Sequence, residues 1–75
     1  MEKNDMLTKG AFAYIIQRVL ESARDANEDH RANPHEEYYL GKKDAYREIV
    51  EIIKTELKVR DEDLKEYELD FSVFD

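Results

Sequence analysis

The sequence has no cysteine among its 75 residues, and it has only two glycines and one proline. The absence of cysteine excludes disulfide bonds and a thiolate nucleophile, and it is compatible with a cytoplasmic location. There is no glycine-rich loop of the kind that binds phosphate groups. No serine or threonine lies in a recognisable arrangement with a histidine, so we expect no enzymatic activity and no cofactor.

Long apolar runs are also missing, and none approaches the ~18 residues that a transmembrane helix needs. The first residues, MEKNDM, lack the basic start and apolar centre of a signal peptide. We therefore expect a cytoplasmic protein that does not enter the membrane.

Basic residues are outnumbered, since 19 acidic and 12 basic side chains give a net charge of −7. Residues 59–75 hold seven of the acidic residues and only two basic ones. Without a basic stripe to replace the counterions of phosphates, we expect no direct binding of nucleic acid. The acidity permits an alternative, an inhibitor that mimics nucleic acid and blocks the basic groove of a host nuclease or DNA-binding protein.

The main feature that is present is a long amphipathic segment, residues 34–58, which predicts a helix. Asn33 can cap its start, and Pro34 suits the first helical position, where no amide hydrogen is needed. The apolar residues cover an arc of roughly 160°, wider than the ~100° that one helix contact needs. Val50 lies at one edge of this arc and Ile52 at the other, so one neighbouring helix cannot cover both.

Two polar residues interrupt that arc: Lys42 at its centre and Glu56 near its end. Lys42 can bury its stem and extend its ammonium to water, and the alternative is a buried lysine with a depressed pKa. Gly41 costs ~1 kcal/mol relative to alanine in mid-helix. We expect Gly41 to permit close approach of a neighbouring helix, or to mark a local bend.

An earlier helix is predicted over residues 8–29, with Thr8 as its N-cap and with Met6 and Leu7 folding back onto it. Its apolar residues recur at helical spacing along one face, which predicts a core: Phe12, Ile15, Ile16, Val19, Leu20, Ala23 and Ala26. The short link over residues 30–33 favours an antiparallel hairpin of the two helices.

The last part of the chain predicts a short third helix over about 62–67, capped by Asp61, and then a change of period. Tyr67, Leu69, Phe71 and Val73 alternate with polar residues, which is strand spacing, but one isolated strand is not stable. This tail must pair with another chain, pack on the helices as a strap, or stay mobile. We divide the chain into a hairpin domain, 1–67, and an acidic-aromatic tail, 68–75.

Two histidines flank the link between the helices, and carboxylates lie close to them in sequence. His30 and His35, with a carboxylate from Asp29, Glu36 or Glu37, could supply ligands to a zinc or nickel ion. Their spacing matches no closed metal motif, and such residues are common as caps and solvated charges in turns, so we expect no metal site.

The run Tyr39-Leu-Gly-Lys-Lys-Asp-Ala-Tyr-Arg-Glu-Ile49, followed by Ile52-Ile53-Lys54, resembles a pattern in small uncharacterised helical proteins of Gram-positive bacteria. Many of those proteins are carried on phages and conjugative elements. The resemblance covers about 20 residues and implies helical structure and a mobile-element setting. It implies no catalytic residue.

The sequence therefore predicts an all-α protein, with an antiparallel helical hairpin, a short third helix and an extended tail. So short a chain buries little of its surface, and pairing of two copies into a four-helix bundle would remedy this. We expect a homodimeric interaction module or adaptor, with a host-encoded or element-encoded protein as a further partner. The predicted partner-binding residues are Tyr38, Lys42, Ile49, Ile52, Tyr67, Leu69, Phe71, Val73 and Phe74.

Overall fold

A computed structural model describes residues 8–70 and 72–74. Helix α1 spans Lys9–Ala32, helix α2 spans Glu37–Val59, and a 3-10 helix spans Leu64–Tyr67. The two long helices pack against each other as an antiparallel hairpin, and the described residues include no strand. The predicted all-α class is confirmed. The predictions for Met6, Leu7 and Phe71 lie outside the described residues.

The start of α1 follows from its cap. Thr8 has extended backbone, and its hydroxyl oxygen accepts a hydrogen bond of 3.0 Å from the amide of Ala11. This bond satisfies one of the amides that a helix start leaves unpaired, as predicted. The helix then continues to Ala32, three residues beyond the predicted end.

Asn33 ends α1 and does not cap α2, so that part of the prediction was wrong. Its amide donates to the carbonyl oxygens of Asp29 and His30, at 3.0 and 3.1 Å, and its side-chain nitrogen donates to Asp29 at 2.9 Å. Pro34 lies in the turn that follows, closed by the amide of Glu36 donating to the Asn33 oxygen at 3.1 Å. The fixed φ of proline suits the second position of such a turn as well as it suits a helix start.

The core forms where the two helices and the end of the chain meet. Its buried members come from α1, α2 and the segment after α2, and they are Ile16, Leu20, Ala23, Val50, Leu57, Tyr67 and Leu69. The Tyr67 ring meets Phe12 edge-on, with centroids 5.7 Å apart. The chain after α2 therefore closes the open end of the hairpin.

Two left-handed residues, Asp61 (φ 59°) and Glu68 (φ 58°), bracket this closing segment. Glu62 and Asp61 donate their amides to the oxygens of Leu57 and Lys58 at the end of α2, at 2.9 and 3.0 Å. The same pair of bonds ends the 3-10 helix, where Leu69 donates to Leu64 at 2.9 Å and Glu68 donates to Lys65 at 3.1 Å. Both are Schellman endings, which usually place glycine at the left-handed position.

The predicted third helix is shorter than expected and is capped by a different residue. Asp63, and not Asp61, accepts the capping hydrogen bond, from the amide of Lys65 at 3.0 Å. Asp61 cannot serve because it belongs to the turn that ends α2. The left-handed Glu68 also breaks the strand-like alternation of the tail, since it reverses the chain direction after Tyr67.

The tail packs on the helices. Leu69, which the sequence assigned to the tail, is in the core, and Val73 and Phe74 pack half-buried against it. The guanidinium carbon of Arg47 lies 5.4 Å from the centroid of the Phe74 ring. Of the three arrangements that the sequence allowed, the described tail residues adopt the strap.

Candidate interaction surface

One face of α2 carries a regular line of residues that the hairpin does not cover. Seven positions alternate in spacing between four and three residues, and we name them the exposed stripe: Tyr38, Lys42, Ala45, Ile49, Ile52, Glu56 and Val59. At about 100° per residue this spacing keeps all seven on one side of the helix. The same spacing defines the contact line of a coiled coil.

Every member of the exposed stripe is open to solvent. Four of them are large apolar residues, with exposed fractions of 69% for Tyr38, 42% for Ile49, 62% for Ile52 and 71% for Val59. Single exposed apolar side chains are normal on a protein surface, whereas these four share one side of α2 and make it a candidate interaction surface.

The hairpin buries the other edge of the wide apolar arc of α2. Val50 and Leu57 are buried against the rest of the chain, while Ile52 is not. Lys42 was expected at the centre of the buried arc, and this was wrong, because Lys42 is exposed and Lys43 is the buried lysine, at 8% exposure. An apolar arc of this width allows more than one rotation of α2 about its own axis. In this fold the rotation places the Val50 edge of the arc against the rest of the chain and leaves the Ile52 edge in solvent.

Gly41 does not permit a close approach of the helices, so that expectation was also wrong. A Cβ atom built at Gly41 would meet nothing within 4 Å. The residue lies on the exposed side of α2, where no neighbour explains the absence of a side chain.

The first helix contributes a second, smaller apolar surface beside the stripe. Phe12 lines an open groove together with Ile52 and Ile53 of α2. Ile15, one turn further along α1 from Phe12, is 45% exposed. The uncovered apolar surface therefore extends from α2 onto α1.

The groove has a volume of about 580 Å³ and lies at the start of α1 and the end of α2, away from the connecting turn. Apolar side chains line it together with four charged residues from α1, from α2 and from the chain after α2: Lys9, Glu56, Arg60 and Glu62. Lys9 forms an ion pair with Glu66, and this contact raises the pKa of Lys9. The cation that α1 contributes to the groove is thus already paired within the chain.

Tyr67 forms one wall of this groove. Its hydroxyl donates to the carboxylate of Glu62 at 3.2 Å. Burial of the ring, and then this hydrogen bond, raise the pKa of Tyr67 above 10.0. The folded protein therefore favours the neutral phenol.

The two charged members of the stripe differ in their contacts. Glu56 accepts a hydrogen bond of 2.6 Å from the guanidinium of Arg60, the C-cap residue of α2, and both side chains remain more than half exposed. Lys42 forms no ion pair with any residue that the structure describes. The stripe therefore holds one unpaired cation near its start and one carboxylate near its end.

The structure separates the predicted partner-binding residues into two groups. Tyr38, Lys42, Ile49 and Ile52 lie together on the exposed stripe. Tyr67 and Leu69 are buried in the core, and Val73 and Phe74 pack against it, so these tail residues stabilise the fold and present little surface to a partner. Phe71 lies outside the described residues.

Sequence reasoning left Ala45, Glu56 and Val59 out of the predicted site, although all three belong to the stripe. The alternating four-and-three spacing was visible in the sequence, but it does not indicate which side of α2 the hairpin leaves uncovered. Sequence reasoning also missed Asn27, a buried residue of α1 whose side-chain oxygen has no hydrogen-bond partner among the residues that the structure describes.

The two histidines do not come together with other ligands into a site. His30 lies in the last turn of α1, and His35 is exposed in the turn that follows. Within residues 8–70 and 72–74, no group of three or more side chains is arranged to hold a metal ion. Neither long helix, nor any other described helix, has an apolar stretch that could cross a lipid bilayer.

Comparison of the chain with protein-family models, with curated proteins and with solved structures finds no match.

Proposed function

We propose that this chain is a small acidic protein–protein interaction module, without enzymatic activity of its own, that acts as a homodimer. The observation that supports the proposal is the exposed stripe, because a line of apolar side chains at coiled-coil spacing is typical of a helix that packs against a partner. The mobile-element setting implied by the resemblance of residues 39–54 belongs to the same proposal and stays a prediction.

The position of the tail favours the stripe as the contact surface. Arg47, whose guanidinium lies over the ring of the tail residue Phe74, is about 160° around α2 from Ile49. The tail thus closes one side of the hairpin, and the stripe remains on the other side. A second hairpin placed against the stripe would produce the predicted four-helix bundle.

Replacement of Ile52 by aspartate tests this proposal. Since Ile52 is 62% exposed, Ile52→Asp should leave the helix content of the monomer almost unchanged and abolish self-association. Leu40→Asp is the matched control, because Leu40 is also exposed, at 44%, but lies about 120° from Ile52 around α2. Sedimentation velocity over a range of protein concentrations measures the result. A wild-type chain that stays monomeric at every concentration would refute the homodimer.

A second candidate, the nucleic-acid mimic, is favoured by the acidic residues of the closing segment. Six of them are exposed over a short stretch: Asp61, Glu62, Asp63, Glu66, Glu68 and Asp70. Binding of such a mimic to a basic groove should weaken steeply between low and moderate salt. Docking through the largely apolar stripe should weaken much less over the same range, so a salt titration of partner binding separates the two candidates.

A further inference from the structure

The two charges within the exposed stripe determine which way a second copy can bind. Lys42 and Glu56 are 14 residues apart, and Ile49 lies midway between them. At 1.5 Å per residue this separation is about 21 Å along the helix axis. The stripe is therefore positive on one side of its apolar centre and negative on the other.

A parallel pairing of two stripes is disfavoured by these charges. In a parallel pair each residue lies beside its own copy, so Lys42 would meet Lys42 and Glu56 would meet Glu56. Like charges within a contact line oppose association, because each loses water without gaining an opposite charge.

An antiparallel pairing brings opposite charges together. In the register that places Ile49 opposite Ile52 of the second copy, Lys42 lies opposite Val59 and within about 4.5 Å, along the axis, of Glu56 of that copy. A lysine side chain is long enough to cross this distance. The two-fold symmetry of the pair forms the contact twice.

We infer that the occupant of the stripe is a second copy of this chain in antiparallel orientation, with Lys42 of each copy paired to Glu56 of the other. This inference depends on the proposed function, since it specifies the partner of the same surface. Lys42 is the unpaired cation of the stripe, and Glu56, although bonded to Arg60, keeps its carboxylate largely exposed for a second cation.

Charge reversal provides the test. Lys42→Glu alone and Glu56→Lys alone should each weaken the dimer by roughly tenfold or more at low salt, because each creates two repulsive contacts per dimer. The double variant, K42E with E56K, should recover dimerisation to near the wild-type level. In a parallel dimer the wild type and every variant place like charges together, so the single variants would not weaken the dimer and the double variant would have no loss to recover.

Glu51→Lys is the matched control for these variants. Glu51 is exposed and lies about 180° from Lys42 and 140° from Glu56 around α2, so its reversal should leave the dimer unchanged. Sedimentation equilibrium gives the dissociation constants, and circular dichroism checks the helix content of each variant. If the single variants weakened the dimer only by unfolding the chain, the double variant would unfold further and would not recover dimerisation.

Distances between spin labels give an independent readout of orientation. The chain has no cysteine, so Gly41→Cys or Glu48→Cys introduces one labelling site on the same side of the helix. In the antiparallel register the two labels of a dimer should be separated along the axis by about 28 Å at position 41 and about 8 Å at position 48. A parallel dimer would give similar distances at both positions.

The outcomes separate the inference from the proposed function. If the wild-type chain does not self-associate, both fail. If it forms a dimer but the single variants do not weaken it, or the double variant does not recover, or the two label distances are alike, then the antiparallel arrangement is wrong and the interaction module stands.

Discussion

Replacement of Leu69 by alanine should destabilise the protein strongly, because this residue closes the core although it lies after both helices. Leu69 is 1% exposed and is among the largest fully buried side chains. The substitution removes three carbons, worth ~2.4 kcal/mol at ~0.8 kcal/mol for each buried methylene. The cavity that remains raises the expected loss to about 3–5 kcal/mol.

A loss of this size should be visible by thermal melting. For a chain of this length ~1 kcal/mol lowers the Tm by about 4–8 °C, so Leu69→Ala should lower it by at least about 12 °C. Circular dichroism at 222 nm measures the transition. All variants must be compared at one protein concentration, because the stability of a dimer depends on concentration.

Leu40→Ala is the matched control for this prediction. It makes the same chemical change at a leucine that is 44% exposed on α2, where the expected loss is about 1 kcal/mol or less. If Leu69→Ala lowers the Tm by no more than Leu40→Ala, the tail does not complete the core and the strap arrangement is refuted.

Three further changes should alter stability in stated directions. Gly41→Ala should raise the free energy of unfolding by about 1 kcal/mol, because a methyl group there meets nothing within 4 Å, and an unchanged urea midpoint would contradict this. Glu68→Gly should stabilise the protein by about 0.5–1 kcal/mol, because glycine adopts the left-handed backbone without strain. The control, Glu48→Gly on the exposed side of α2, should destabilise it by a similar amount. If both variants lower the urea midpoint, the left-handed turn is refuted. The raised pKa of Tyr67 favours the neutral phenol in the folded state, so its contribution is complete below pH 10.0 and is lost as pH rises through the raised value. Tyr67→Phe should therefore make the Tm fall less steeply as pH rises above 10.0. If the Tm of the variant falls as steeply as that of the wild type, the Tyr67 hydroxyl is not shielded from water.

The helices could be predicted from the sequence because their signals are local. The spacing of apolar residues in α1 and the position of Thr8 before it are sufficient to define a capped amphipathic helix. The link between the helices was harder, because Asn33 and Pro34 suit either the start of a helix or the turn after one. Hydrogen bonds to Asp29 decide between these, and they form only when α1 extends to Ala32.

The orientation of α2 and the path of the tail depend on contacts between distant residues. An apolar arc of roughly 160° does not indicate which part the hairpin will cover. Burial of Val50 and Lys43 leaves Ile52 outside, and no local pattern specifies that rotation. The alternation of the tail likewise indicated a strand, whereas the left-handed Glu68 turns Leu69 into the core.

The contact of Tyr67 with Phe12 and the Lys9–Glu66 ion pair have a consequence for how the molecule opens. Two helices joined at one end ordinarily unwind from the other, where their last turns fray. Here these two contacts hold the far ends of the helices together, so backbone amides near Phe12 should exchange with deuterium about as slowly as those beside the connecting turn. Local opening of the helix ends would then require that the Tyr67–Phe12 contact and the Lys9–Glu66 ion pair break first.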